Sequence, residues 1–180
     1  IDGLLKGRSN EDASPASYYH LDGQPLGERK VWLQDDYVKF IRLSQLLLDK
    51  SGAGVHGFIS NHGFIDNPTF RGMRQALLDS FSQINVLDLH GNAKKKEVCP
   101  DGSRDENVFD IQQGVCIEFF TNAPGRADAS GPEVLHADLW GSRESKYSWL
   151  LNSGFHGTAW KEVDAAKPLR LFTPLDLSEA

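Results

Sequence analysis

The sequence predicts an α/β fold: part of a doubly wound sheet that closes with an antiparallel strand. Three observations lead there. Helical and strand patterns alternate between residues 35 and 89. A helical stretch joins the strand patterns at 55–60 and 84–89. The strand pattern at 115–121 is reached through a polar stretch with no helical pattern in it. Strands joined by a crossover helix run parallel, so 55–60 and 84–89 are expected to share a direction. Strand 115–121 is then free to run against them.

The elements follow in order. Residues 1–34 are rich in Gly, Ser, Pro and Asp and form an irregular leading segment, with a short strand and turn at SYYHLDG (17–23). From Asp35, the residues Tyr37, Phe40, Ile41, Leu47 and Leu48 fall near one helical face, and Val38, Leu43 and Leu46 widen it. Asp35 and Asp36 suit the positive start of that helix, and Gly52 and Gly54 suit its end. VHGFIS (55–60) is a strand and NHGFIDN (61–67) a loop. Asn67-Pro68 is a cap followed by proline at the first helical position. Phe70, Met73, Leu77 and Phe81 then repeat at helical spacing to about Ser80. INVLDL (84–89) and VCIEFFT (115–121) are strands, with HGN (90–92) a turn between them and the polar excursion. NAPGRADASGP (122–132) is turn-rich, EVLHADLWG (133–141) is a further strand and RESKYSWLL (143–151) a helix. Residues 122–180 thus form an extra strand and helix with a trailing linker.

Composition narrows the function classes. A chain of 180 residues with 39% hydrophobic and 24% charged residues fits one globular domain. No apolar run approaches the roughly 18 residues of a membrane span, so no membrane partner is expected. Cys99 and Cys116 form no staple framework, so a reducing cytoplasm is the default. The net charge of −6 excludes a generic polyanion binder. Lys94-Lys95-Lys96 is the clearest local basic patch, a candidate substrate contact set against a solvated loop. A chain that opens on Ile1, with Met73 as its only methionine, is expected to be a segment of something longer.

The connectivity also locates a ligand edge. The loops at 61–67 and 90–114 both leave the carboxyl ends of parallel strands, outside which open α/β sheets bind their ligands. An antiparallel strand 115–121 starts at the same edge. Phe109, in DENVFDIQQGV, is therefore expected beside Asn61, His62, Phe64 and His90.

At these residues the sequence resembles a family. DDYVKFIRLSQLLLD, GFISNHGFIDNPTFRGMRQALLDSF, VLDLHGN and DENVFDIQQGVCIEFF are similar to the amino-methyltransferases that modify adenine N6 in DNA. More narrowly, they resemble the methyltransferase region of large single-chain restriction–modification enzymes. The similarity runs from about Asp35 to Thr121 and more weakly to about Pro174. It implies a Rossmann-like methyltransferase sheet, of which 35–121 is the C-terminal half. It implies S-adenosylmethionine as cofactor, DNA as partner, and neighbouring target-recognition, helicase or nuclease segments. The family's Asn- or Asp-Pro-Pro-aromatic catalytic tetrapeptide is absent, since Asn67-Pro68 is followed by Thr69. The glycine-rich cofactor loop is absent too. The resemblance thus implies a segment without catalytic residues, inactive alone. A non-catalytic DNA-binding or scaffold module is the alternative.

The resemblance also assigns residues. Phe109, in Asn107-Val108-Phe109, matches an aromatic on which the flipped target adenine stacks. Tyr37 and Phe40 match a Tyr-x-x-Phe whose Phe contacts the cofactor's adenine. Each has a plainer reading. Core packing is preferred for Phe40 and stands level with base contact for Phe109. Asn61 suits a turn as well as a substrate contact, and Phe64 either lines the pocket or lids the core. Arg71 and Arg74 are expected solvated or paired with a local carboxylate. A metal-dependent hydrolase using His62, His90 and Asp88 is the weakest reading, because no tight ligand motif links them, and no metal is expected. Cys116 is expected buried, with no base assigned to it.

Overall fold

A computed structural model describes residues 17–28, 31–123 and 131–174. The expected turn-rich tip at 124–130 and most of the leading segment lie outside those residues. Strands β1 (His20–Leu21) and β2 (Gln24–Pro25) form a small hairpin, within the expected strand and turn. Helix α1 spans Asp36–Ser51 and stops at Gly52, whose φ of 74° is the left-handed conformation that terminates helices. Strand β3 (Gly54–Asn61) follows. Asn67 then accepts from Thr69 N and caps a short turn of helix over Pro68–Phe70, which leads into α2 (Arg71–Ser80). Strands β4 (Gln83–Asp88), β5 (Val115–Asn122) and β6 (Glu133–Asp138), helix α3 (Arg143–Asn152) and strand β7 (Lys161–Glu162) complete the order.

The main sheet has the order β3-β5-β4-β6-β7. Strand β5 is antiparallel to both β3 and β4, and β6 is parallel to β4. So β3 and β4 share a direction, as their crossover helix demands, yet they are not neighbours. The antiparallel strand is inserted between them. This mixed sheet, covered by helices on both faces, is the partial Rossmann-like architecture expected from the sequence.

The strand alternation sorts the core into two layers. Cys116 and Phe120 of β5, with Ile84 and Val86 of β4, face α1 and α2, where they meet Ile41, Phe64, Met73 and Leu77. Leu87, Val115 and Ala137 face the other way, with Trp149 and Leu150 of α3 packed beside them. The hairpin lies across α2 at Gly72. A Cβ there would sit 2.5 Å from His20 O and 2.6 Å from Tyr18 O, so only glycine admits the approach. Among the described residues, no helix is long and apolar enough to cross a membrane.

Candidate nucleic-acid and cofactor edge

The carboxyl ends of β3, β4 and β6 fall at one edge, because Asn61 pairs with Val115 and Asp88 pairs with both Cys116 and Asp138. Strand β5 begins there. Helix α1 precedes β3 through a tight turn and packs against it, which returns its first turn, with Tyr37, toward that same edge.

A cavity of about 590 Å³ opens at the strand ends, lined by His62, Asp88, His90, His136, Asp138 and Trp140, among others. Its polar groups form a chain. Asn92 Nδ2 lies 3.2 Å from His62 Nε2, and His62 Nδ1 donates to the Asp88 carboxylate at 2.9 Å. Asp88 Oδ1 also accepts from His90 N at 2.8 Å. His90 Nε2 lies 2.9 Å from Asp138 Oδ1, and His136 Nε2 lies 3.1 Å from that same oxygen. His136 Nδ1 lies 2.8 Å from Phe172 O, which fixes the ring between that carbonyl and Asp138. The His90 ring stacks on Trp140.

These contacts shift the charges. Burial disfavours ionisation of Asp88, but the hydrogen bond from His62 and the charges of His62 and His90 outweigh it and hold the carboxyl below its usual range. Burial likewise opposes a charge on His62, and the hydrogen bond and charge of Asp88 win, raising it. Asp138 is partly exposed, and hydrogen bonds from His136 and His90 outweigh its partial burial and keep it well below the ordinary carboxylate range. Among the described residues, His62, His90 and Glu97 are the group whose ligand atoms come within 4.8 Å of one another. An ion there would compete with Asn92 for His62 Nε2.

A second cavity, of about 510 Å³, holds Phe109 and Ile111 and shares Glu97 with the first. Phe109 is 42% exposed, so its ring is an edge residue and not core. Asn107 fixes its turn. Asn107 Nδ2 donates to Gly91 O and Gln113 O, while its Oδ1 accepts from Phe109 N at 2.8 Å. Gly91 has φ 80°, and a Cβ on it would meet Asn107 Cα at 2.4 Å. The HGN turn and the Phe109 turn are thus in backbone contact.

The structure corrects several expectations. Phe109 does not share one pocket with Asn61, His62, Phe64 and His90; His62 and His90 line the neighbouring cavity. Phe64 is wholly buried, edge-on to Phe120 and Phe172, and lines neither of the two cavities, so of the two readings it is the core residue. Asn61 Oδ1 accepts from Gly63 N, a local turn role. Phe40 is 54% exposed and meets Phe58 edge-on, against the expectation of core packing. Tyr37 packs on Phe70 with its hydroxyl buried and lacking a hydrogen-bond partner. Arg74 is neither solvated nor paired with a carboxylate: it is fully buried and donates to the carbonyls of Phe64, Asn67 and Leu169. Lys95 reaches Asp66 at 3.1 Å, and Lys94 and Lys96 are exposed outside both cavities. Cys116 is buried, as expected.

Sequence reasoning placed the helix at 143–151 but missed what its inner face does. Arg143, Lys146 and Tyr147 stand at the i, i+3, i+4 spacing of one helical face, and all three reach the Phe109 loop. Their spacing was the available signal. A lysine on an inward face is ordinarily taken as a solvated residue, and here it is not.

A mixed five-stranded sheet with an inserted antiparallel strand and helices on both faces defines a partial Rossmann-like α/β domain. The solved structures that it resembles are more particular. A cryo-EM DrdV–DNA complex shares 25% identity at a TM-score of 0.66, over 78% of this chain and 14% of that one. The ATP-dependent Type ISP restriction–modification enzyme LlaBIII, bound to DNA, shares 27% identity at a TM-score of 0.64, over 82% and 10%. A nuclease-deletion mutant of the Type ISP enzyme LlaGI, with a DNA substrate mimic, has the same fold at 23% identity and a TM-score of 0.63, over 75% and 13%. The chain therefore spans about a tenth to a seventh of their length. No family model and no curated protein matches the sequence.

Proposed function

We propose that this chain is the C-terminal half of an S-adenosylmethionine-dependent DNA adenine-N6 methyltransferase region within a restriction–modification enzyme, and that it is inactive alone. One observation carries the reading. Phe109 stands half-exposed in the loop that leads into the inserted antiparallel strand, with its backbone pinned on both sides. A base that undergoes chemistry must leave the duplex, and an aromatic face stabilises it there by about 1–3 kcal/mol. The likeness to restriction–modification enzymes bound to DNA supports DNA as the partner.

The cofactor fit rests on Phe40. More than half of its surface is open on a helix that returns to the ligand edge, as an adenine-contacting ring requires. Tyr37 fits less well, because its ring packs on Phe70 and its hydroxyl is buried. When bound, S-adenosylmethionine supplies the methyl group. The chain's own residues hold the acceptor base through Phe109 and keep the turn beside it rigid through Asn107. The groups that accept hydrogen bonds from the adenine amino nitrogen are absent from this chain.

Phe109→Ala in the full-length parent should weaken target-base stacking by the 1–3 kcal/mol of one base–aromatic contact, about 5- to 150-fold, and lower methylation with it. Unchanged methylation and stacking would remove Phe109 from the site. The absent catalytic tetrapeptide favours one alternative, a non-catalytic DNA-binding or scaffold module. The parent gene upstream of Ile1 discriminates: an Asn/Asp-Pro-Pro-aromatic motif there supports the methyltransferase, and a parent without one supports the scaffold.

A further inference from the structure

Four successive backbone carbonyls, from Glu106 to Phe109, have no sheet or helix of their own to bond to. Each is taken by a side chain from one face of α3. Lys146 Nζ donates to Glu106 O at 2.7 Å, and Arg143 Nε to Asn107 O at 2.8 Å. The Tyr147 hydroxyl donates to Val108 O, and Arg143 Nη2 to Phe109 O at 2.9 Å. Arg143 Nη1 reaches Asp110 Oδ1 at 2.8 Å, and Arg143 N donates to Glu106 Oε2 at 3.0 Å. All three nitrogens of the Arg143 guanidinium are thereby committed to the loop. A planar fork makes such a grip, and a lysine ammonium cannot reproduce it.

We propose that α3 is the positioning element of the Phe109 platform, with Arg143 and Tyr147 as positioning residues that aim the ring at an extruded purine base. This rests on the reading of Phe109 as a base-stacking residue. A short polar loop carrying an exposed ring is ordinarily mobile. Here the helix bonds every carbonyl that leads up to the ring, so the face is fixed before the base arrives. That preorganisation is what a stacking contact needs to favour the extruded base. Three of the five guanidinium N–H donors, one on each nitrogen, are engaged by the loop, so in this scheme Arg143 acts on the loop and not on phosphate.

The test uses the full-length parent with a duplex carrying the fluorescent adenine analogue 2-aminopurine at the target position. Arg143→Lys and Tyr147→Phe should both shrink the Phe109-dependent fluorescence change and lower kcat/KM by roughly tenfold or more, the scale of a misplaced reacting group. The melting temperature should stay near the wild-type value, since both side chains are partly exposed. The slope of log Kd against log salt should also stay unchanged, because no phosphate contact is lost. Wild-type fluorescence in both variants, or a reduced salt slope in Arg143→Lys, would overturn the inference. Phe109→Ala separates the two failures. If it abolishes the signal while both α3 variants leave it intact, only the positioning role falls. If Phe109→Ala itself changes nothing, the base-stacking reading falls and takes this inference with it.

Discussion

Lys146 Nζ lies 2.7 Å from Asp105 Oδ1, and neither side chain has any solvent exposure. The pair is fully dressed. Lys146 also donates to Leu89 O and Glu106 O, and Asp105 accepts from Gly91 N and Gly141 N. Four backbone groups from the β4 exit, the Phe109 loop and the turn before α3 thus converge on one buried ion pair. Such a pair adds little over an apolar replacement, but a lone survivor is costly.

Lys146→Met should therefore destabilise the chain by about 3–5 kcal/mol, because it strands the Asp105 carboxylate in the interior. Urea unfolding measures this. The double variant Lys146→Met with Asp105→Asn should cost less than the two single changes added together. Additive losses would mean that the two residues are not coupled.

Asp88→Asn should cost about 3 kcal/mol near pH 5.5, with a pH window that follows from both partners. The Asp88 carboxyl is held below its ordinary 3.8, so its contribution is present above that value and is lost as the pH falls through its folded pKa. His62 is raised above its ordinary 6.5, so its contribution is present below 6.5 and is lost as the pH rises through its folded pKa. The stability difference between wild type and variant should peak between these limits and shrink on either side. Denaturant midpoints measured from pH 3 to pH 9 check it, and a flat difference across that range would contradict the coupling.

Arg74→Met should lose about 2–4 kcal/mol, the scale of several charge-assisted bonds removed from a buried site. Burial, together with the charges of Arg71 and Arg170, pushes the Arg74 guanidinium down to about 10, with Asp66 opposing. Because two of its bonds end on Leu169 O, hydrogen exchange should rise first around residues 169–172. Exchange unchanged there, with the loss spread elsewhere, would argue against Arg74 as the tie.

Much of the fold was legible because local physics wrote it. The apolar stripe from Tyr37 to Leu48 and the Asn67-Pro68 cap each act within a few residues, so they survive without a tertiary frame. The crossover helix between β3 and β4 fixed their common direction, because a single helix returns the chain to the end of the sheet it left. Their separation by β5 was not legible, since a strand joined by a long polar excursion can pair on either side. The site was less legible. A sequence shows that Phe109 is aromatic and lies before a strand; it does not show that the ring faces solvent. Phe40 was expected in the core because it shares a helical face with buried neighbours, yet it stands at the margin of that face, where the cover ends.

The sequence by itself determined the α/β class, the order of elements from α1 to α3 and the edge at which β5 begins; β7, paired on β6, lay in what read as a trailing linker. Those properties follow from periodicity, capping and the crossover connection, which are local or short-range. Only the tertiary structure decided which polar groups would be buried. Arg74 and Lys146 look like surface charges in the sequence. Each became an interior group because carbonyls from distant segments, Leu169 in one case and Leu89 and Glu106 in the other, came within bonding reach. A charge enters an interior only where partners meet it, and those partners are assembled by the fold, not by the neighbouring residues.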